Sequence, residues 1–295
     1  MVISKKQEVT HPLVSVVVPV HHMSGKLHTL KSWVRETPPC VEIILLHDDH
    51  DFDDATNMEL MRIVNKSQNY FLFRKNWGNP GDARNFGKEI ARGVWIVFAD
   101  SDDYLHINEI VNYLRGLEQD KVDLIIGQFE TIRGISSSFE KTKKVEDLLK
   151  NLGNWRIVYK KTYITNSAFP PLRMGEDQVF FCQVLRSKPQ MKICNKIFYS
   201  YHSAIQGQLT SKPLYEDLAI AISMMEDIFL SSESNKRLLK GLLVNQSLSM
   251  FINRPTLRNG CKLLNIETLQ FNLIPYSILI TTKLFSHIVK RNITK

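Results

Sequence analysis

Ile96-Val97-Phe98-Ala99-Asp100-Ser101-Asp102-Asp103-Tyr104 reads as an apolar strand that ends in three clustered carboxylates. Like charges held this close resist joint ionisation unless a divalent cation, or a cationic or hydroxyl-rich ligand, sits among them. Asp100 and Asp102 are two residues apart, so in extended geometry their side chains leave the same face of the chain. Hard oxygen donors of this kind suit Mg2+ or Mn2+, ions that keep several waters and bridge to substrate phosphates. The plainer reading is a helix N-cap. Asp102 or Asp103 can cap a helix running from about Ile107, which accounts for one aspartate but not for three.

Strand and helix signals alternate on either side of this stretch. Val14-Ser-Val-Val-Val-Pro-Val20 is a nearly continuous β-branched run, as a strand buried on both faces requires. A helical pattern through Leu27, Leu30 and Val34 stops before Pro38-Pro39, and Val41 to Leu46 is a second strand. Met58 to Val64 reads as a helix, Tyr70 to Phe73 as a strand, Gly81 to Arg92 as a helix and Val94 to Ala99 as the fourth strand. Ile107 to Leu117 is helical and Val122 to Phe129 a fifth strand. This order predicts an α/β fold with a Rossmann-like, mainly parallel central sheet and flanking helices. Ligands in such sheets gather at the carboxyl ends of the strands, where His47-Asp48-Asp49 and Asp100 to Asp103 fall. Ile132 to Lys144 is polar and reads as an exposed, mobile loop. Trp155 to Tyr159 and Ile193 to Tyr201 read as strands, with a helix near Glu176 to Leu185 between them. From Pro213 onward the pattern is helical, and its Met and Leu residues read as core.

The chain has 295 residues and a net charge of +8, but its Lys and Arg are dispersed, which argues against nucleic acid as a partner. Cys40, Cys182, Cys194 and Cys261 lack the spacing of a zinc site or a disulfide framework, as suits a reducing cytoplasm. The first twelve residues carry no apolar signal core. Thr268 to Thr282 is uncharged yet too short for a confident membrane span. The basic amphipathic stretch Lys283 to Arg291 either packs on the protein or lies peripherally on the inner face of the cell membrane.

Three further segments carry chemistry. In Asn79-Pro-Gly-Asp-Ala-Arg-Asn-Phe-Gly87, Gly81 permits close backbone approach at a helix N-terminus, and Arg84 can offer a bidentate contact to an anion. The segment matches neither a Walker A loop nor GxGxxG. Gly175-Glu176-Asp177 places two carboxylates before an apolar helical face, either as first-turn acids or with one serving as a general base. His202 is a candidate metal ligand, with a structural histidine as the commoner alternative.

Taken in order, Val14 to Val20, Asp48-Asp49, Pro80-Gly-Asp-Ala-Arg-Asn-Phe-Gly87, Val97-Phe-Ala-Asp-Ser-Asp-Asp-Tyr104 and Gly175-Glu-Asp-Gln-Val-Phe180 resemble family 2 glycosyltransferases of the GT-A fold over roughly residues 12–210. The resemblance implies that Pro19, Asp48 or Asp49, and Arg84 meet the nucleotide. It further implies that Asp100 faces the ribose or metal, that Asp102 is the main ligand of Mn2+ or Mg2+, and that Asp177 deprotonates the acceptor hydroxyl. The implied reaction inverts the anomeric carbon of a nucleotide-sugar, a UDP-sugar first among them. One sugar passes to a saccharide or lipid-linked saccharide in bacterial surface-glycan synthesis. Two departures flank the nucleotide pocket: Asp48-Asp49-His50-Asp51 stands where the family has Asp-Asp-Gly-Ser, and His21-His22 where it has Tyr-Asn. The Gln-x-x-Arg-Trp motif of processive synthases is missing. The expected organisation is a GT-A domain over 1–210, with nucleotide-binding and acceptor parts of about 12–105 and 106–210, and a helical region over 211–295. Alternatives are a sugar nucleotidyltransferase and a non-catalytic nucleotide- or glycan-binding module of the same fold.

Overall fold

The computed structural model describes residues 11–21, 27–48, 54–65, 68–203 and 214–253. The readings made for His22, for Asp49 to Asp51, for Cys261 and for Thr268 to Arg291 lie outside the described residues.

Val14–Val20 (β1) is sandwiched between two parallel neighbours, Val41–Asp48 (β2) and Trp95–Phe98 (β4), and Tyr70–Lys75 (β3) extends the sheet beyond β2. Both faces of β1 are covered, which is why its sequence is an apolar run rather than an alternation. Val14, Val16, Val18 and Val20 face a core shared with helices Leu27–Val34 (α1) and Asp54–Asn65 (α2). Val17 faces the opposite core, shared with Pro80–Ile90 (α3).

The chain continues through Tyr104–Leu105 (β5), Ile107–Arg115 (α4), Leu124–Arg133 (β6), Ser136–Phe139 (β7), Ile157–Lys160 (β8), Glu176–Arg186 (α5), Met191–His202 (β9), Tyr215–Ser231 (α6) and Lys236–Asn253 (α7). Among the described residues the strand order is β3-β2-β1-β4-β8-β6-β9-β5, with β7 hydrogen-bonded to β6. The expected parallel sheet is therefore its first half. In the second half β8 runs antiparallel to both β4 and β6, and only β6 and β9 pair in parallel. The chain reverses there through the β6–β7 hairpin instead of a helical crossover.

Two local expectations are corrected. Residues 136–139 are not loop but a strand paired with Glu130 to Arg133, although every one of them is exposed. Backbone pairing needs no apolar side chains, so the Ser-rich sequence concealed it. The helix beginning at Ile107 has His106 at its N-cap and no side-chain cap bond, so neither Asp102 nor Asp103 caps it.

α5, α6 and α7 share the second core through Phe180, Ala221, Met225 and Leu243. Cys40, Cys182 and Cys194 are free thiols. No helix among the described residues is long and apolar enough to cross a membrane.

Candidate functional site

Parallel pairing brings the carboxyl ends of β1, β2 and β4 to one rim. A cleft partly open to solvent lies there. Pro19, His21 and Asp48 wall it from the strand ends, Trp77 and Ala83 from the turn into α3, and Arg173 from the far side. Trp77 is fixed in place. Its indole N–H donates to the His47 carbonyl at 3.1 Å and its ring packs on Phe86 at 4.9 Å between centroids.

The N-terminus of α3 closes on itself. The Asn79 side chain accepts from the Asp82 backbone N–H at 2.8 Å, and Pro80 occupies a position whose N–H has no helical partner. The close approach expected at Gly81 is made by the chain's own backbone: a Cβ there would lie 2.4 Å from the Pro170 carbonyl oxygen.

Arg84, in the first turns of α3, is bonded on both Nη groups. Nη2 donates to Asp100 Oδ1 at 2.9 Å and Nη1 to Glu176 Oε1 at 2.7 Å. Its side chain is 12% exposed, against 36% for Asp100 and 9% for Glu176. Burial disfavours the guanidinium charge, but Asp100, Glu176 and Asp177 more than offset this and hold it firmly protonated. One arginine thus joins the acidic end of β4 to the start of α5, although Glu176 lies 92 residues from Arg84 in sequence.

Gly175 delivers that helix start. Its φ of +85 is a left-handed conformation that side chains resist, and a Cβ would meet the Ala221 Cβ at 2.8 Å. Glu176 and Asp177 follow at once, with no side-chain cap preceding them. Burial pushes the carboxyls of both upward, and Arg84 opposes the shift.

Within the acidic cluster the three aspartates part ways. Asp103 is 1% exposed and accepts from the Tyr199 hydroxyl at 2.9 Å and the His202 backbone N–H at 2.6 Å. Burial pushes its carboxyl up to about 8, aided by Asp100 and Asp102. Asp100 receives Arg84 through its side chain, while its N–H donates to the Tyr199 hydroxyl at 3.1 Å. Asp102 is partly exposed at the rim. The His202 Nδ1 lies 3.7 Å from Asp103 Oδ1, so the end of β9 reaches the same cluster.

Among the described residues no three His, Cys, Asp or Glu side chains converge into a closed metal site. A partly exposed carboxylate such as that of Asp102 still fits Mn2+ or Mg2+, because such ions take few protein ligands and complete their shell with waters and substrate phosphates.

Of the residues singled out in the sequence, Pro19 and Asp48 line the cleft, Arg84 gathers Asp100 and the start of α5 where Asp177 lies, and His202 reaches Asp103, the neighbour of Asp102. Trp77, Arg173 and Tyr199 were not foreseen. Trp77 and Arg173 each stand two residues before a glycine- or turn-bearing segment already singled out, whereas nothing in the sequence marks Tyr199.

The glycosyl transferase family 2 model matches residues 15–181, more than half of the chain. A poly(ribitol-phosphate) β-N-acetylglucosaminyltransferase, TarP of Staphylococcus aureus, is 28% identical over 68% of this chain and 65% of its own length. A poly(ribitol-phosphate) β-glucosyltransferase of Bacillus spizizenii is 27% identical over 64% of this chain and 32% of its own length. The chain thus spans less than two thirds of these relatives. The crystal structure of S. aureus TarS 1–349 in complex with UDP-GlcNAc superposes with a TM-score of 0.69 at 19% identity, covering 85% of this chain and 78% of that one. A mannosyltransferase from Pyrobaculum calidifontis in complex with GDP-Man and Mn2+ covers 96% of this chain and 87% of its own at a TM-score of 0.60 and 13% identity.

Proposed function

We propose, on the premise that the chain belongs to glycosyl transferase family 2, that the rim at the ends of β1, β2 and β4 transfers one sugar from a nucleoside-diphosphate sugar to an acceptor hydroxyl. The observation that carries this reading is the meeting of Asp100 and Glu176 on Arg84, which brings the acidic strand end and the Glu176-Asp177 pair to one place.

The cleft takes the nucleoside. Trp77 and Pro19 offer apolar walls, Asp48 a hydrogen-bond acceptor for base or ribose, and Arg173 a cation at the mouth for the diphosphate. Asp102 would hold Mn2+ or Mg2+, with His202, which reaches the neighbouring Asp103, as a second candidate ligand. A cation bound there would supply charge stabilisation to a departing diphosphate. Asp177 accepts the proton of the acceptor hydroxyl. The acceptor oxygen then bonds to the anomeric carbon, the bond from that carbon to the phosphate oxygen breaks, and the electron pair leaves with the nucleoside diphosphate. A direct displacement of this kind inverts the anomeric centre. Burial of Asp177 suits the role, because a carboxylate raised above its ordinary range is a better proton acceptor near neutral pH.

The name of the S. aureus relative and the ligand of its TarS neighbour favour UDP-GlcNAc as donor and a hydroxyl of a poly(ribitol-phosphate) as acceptor. The test is nucleotide release from UDP-, GDP-, dTDP- and CMP-sugars with Mn2+, then with EDTA. Release of UDP that EDTA abolishes is the expected result. No release from any donor, together with no metal-dependent nucleotide binding, overturns the reading. Pyrophosphate formed from a sugar phosphate and a nucleoside triphosphate would instead point to nucleotidyl transfer.

A further inference from the structure

Gly81, Arg84, Asn85 and Lys88 fall at helical spacing and share one face of α3. Each of them contacts the segment that runs from Ile164 into α5. Gly81 lies against Phe169 and Pro170. Asn85 exchanges two hydrogen bonds with the Phe169 backbone, both at 2.8 Å. Lys88 Nζ donates to the carbonyls of Ile164 and Thr165 at 3.2 Å, and to that of Ser167. Arg84 completes the row at Glu176 and alone reaches across to Asp100. Its guanidinium carbon also lies 5.7 Å from the Phe169 ring, which stacks on Phe180 of α5 at 4.0 Å.

We propose that Arg84 is a positioning residue for the transfer: bridging Asp100 and Glu176, it holds the acidic end of β4 and the first turn of α5 at a fixed separation. This rests on the reading of Asp177 as the base. Two carboxylates from separate elements need a planar fork with two well-separated donors, which a guanidinium has and an ammonium lacks. Removing the bridge leaves Asp100, Glu176 and Asp177 to repel one another. Nucleotide contact, the role implied by the family resemblance, would have to come from the N–H groups that these two bonds leave over.

The test uses Arg84→Lys, which keeps the charge and loses the fork. Three quantities are measured against wild type: UDP affinity by calorimetry with Mn2+, UDP release from saturating UDP-GlcNAc with Mn2+, and amide hydrogen exchange at residues 176–180. The expected results are UDP affinity within about twofold and release slower by about tenfold or more, the signature of lost orientation rather than lost binding. Exchange at 176–180 should be faster, with β1 and β2 unchanged. A UDP affinity weakened by about tenfold with release at saturating donor intact would make Arg84 a nucleotide contact and overturn the proposal. Unchanged exchange also overturns it. Asp177→Asn in the same release assay separates the two readings. If it releases UDP as fast as wild type, the base assignment falls. If wild type itself releases no UDP, the exchange arm still decides whether Arg84 ties α5 to the rim.

Discussion

At the scale of the residue, the site depends on how burial sorts chemically identical carboxylates. Asp103 is sealed beneath Tyr199 and held near neutrality, while Asp102, one position away, keeps solvent access. Asp177 lies between these extremes, its carboxyl raised by burial and pulled back by Arg84. A base must be ionised to act. Activity should therefore fall as pH drops through a midpoint above the ordinary aspartate value of about 3.9, and a rate profile against pH checks this. The same shift has a cost in stability. A carboxyl whose folded pKa exceeds its unfolded one loses folding free energy as pH rises from the unfolded value to the folded one. Asp177→Asn should therefore be no less stable than wild type at pH 8 in thermal melting, while transfer falls by about 100-fold or more. A variant that melts well below wild type would place Asp177 in the structural scaffold instead. The carboxylates themselves were legible in the sequence. Their sorting was not, because it depends on Tyr199 and Arg84, which lie 96 and 16 residues from their partners.

At the scale of the element, α3 has two working faces. One grips the 164–176 segment through Arg84, Asn85 and Lys88. The other lies on the sheet, where a Cβ on Gly87 would sit 2.4 Å from Val17 Cγ1 and 2.9 Å from Leu46 Cδ1. Val17 is β-branched and cannot rotate away cheaply. Gly87→Ala should therefore destabilise the protein by about 1–3 kcal/mol, the usual cost of overpacking, as read by denaturant unfolding. A neutral Gly87→Ala would mean that helix and sheet are less closely packed than described. Helical spacing announced α3 in the sequence, but not which segment it would hold. Periodicity was equally silent about β7, whose Ser136-Ser-Ser-Phe139 pairs through backbone alone, and about the two-residue β5, which is too short to form any pattern.

At the scale of the whole molecule, a parallel half and a mixed half meet at β4 and β8, giving the sheet its GT-A character. The parallel half was readable because double-sided burial writes apolar runs such as Val14 to Val20. The mixed half was readable as strands but not as pairings, since strand direction leaves no mark in composition. The cleft opens on the parallel side and the Glu176-Asp177 pair arrives from the other, so the site belongs to neither half alone. The central claim is that Asp177 removes the acceptor proton at this junction. It is tested most directly by comparing turnover of UDP-GlcNAc by wild type and Asp177→Asn, both saturated with donor and Mn2+ and matched for UDP affinity. The account predicts that Asp177→Asn binds UDP as wild type does and is slower by about 100-fold or more. Equal turnover by the two proteins would contradict it.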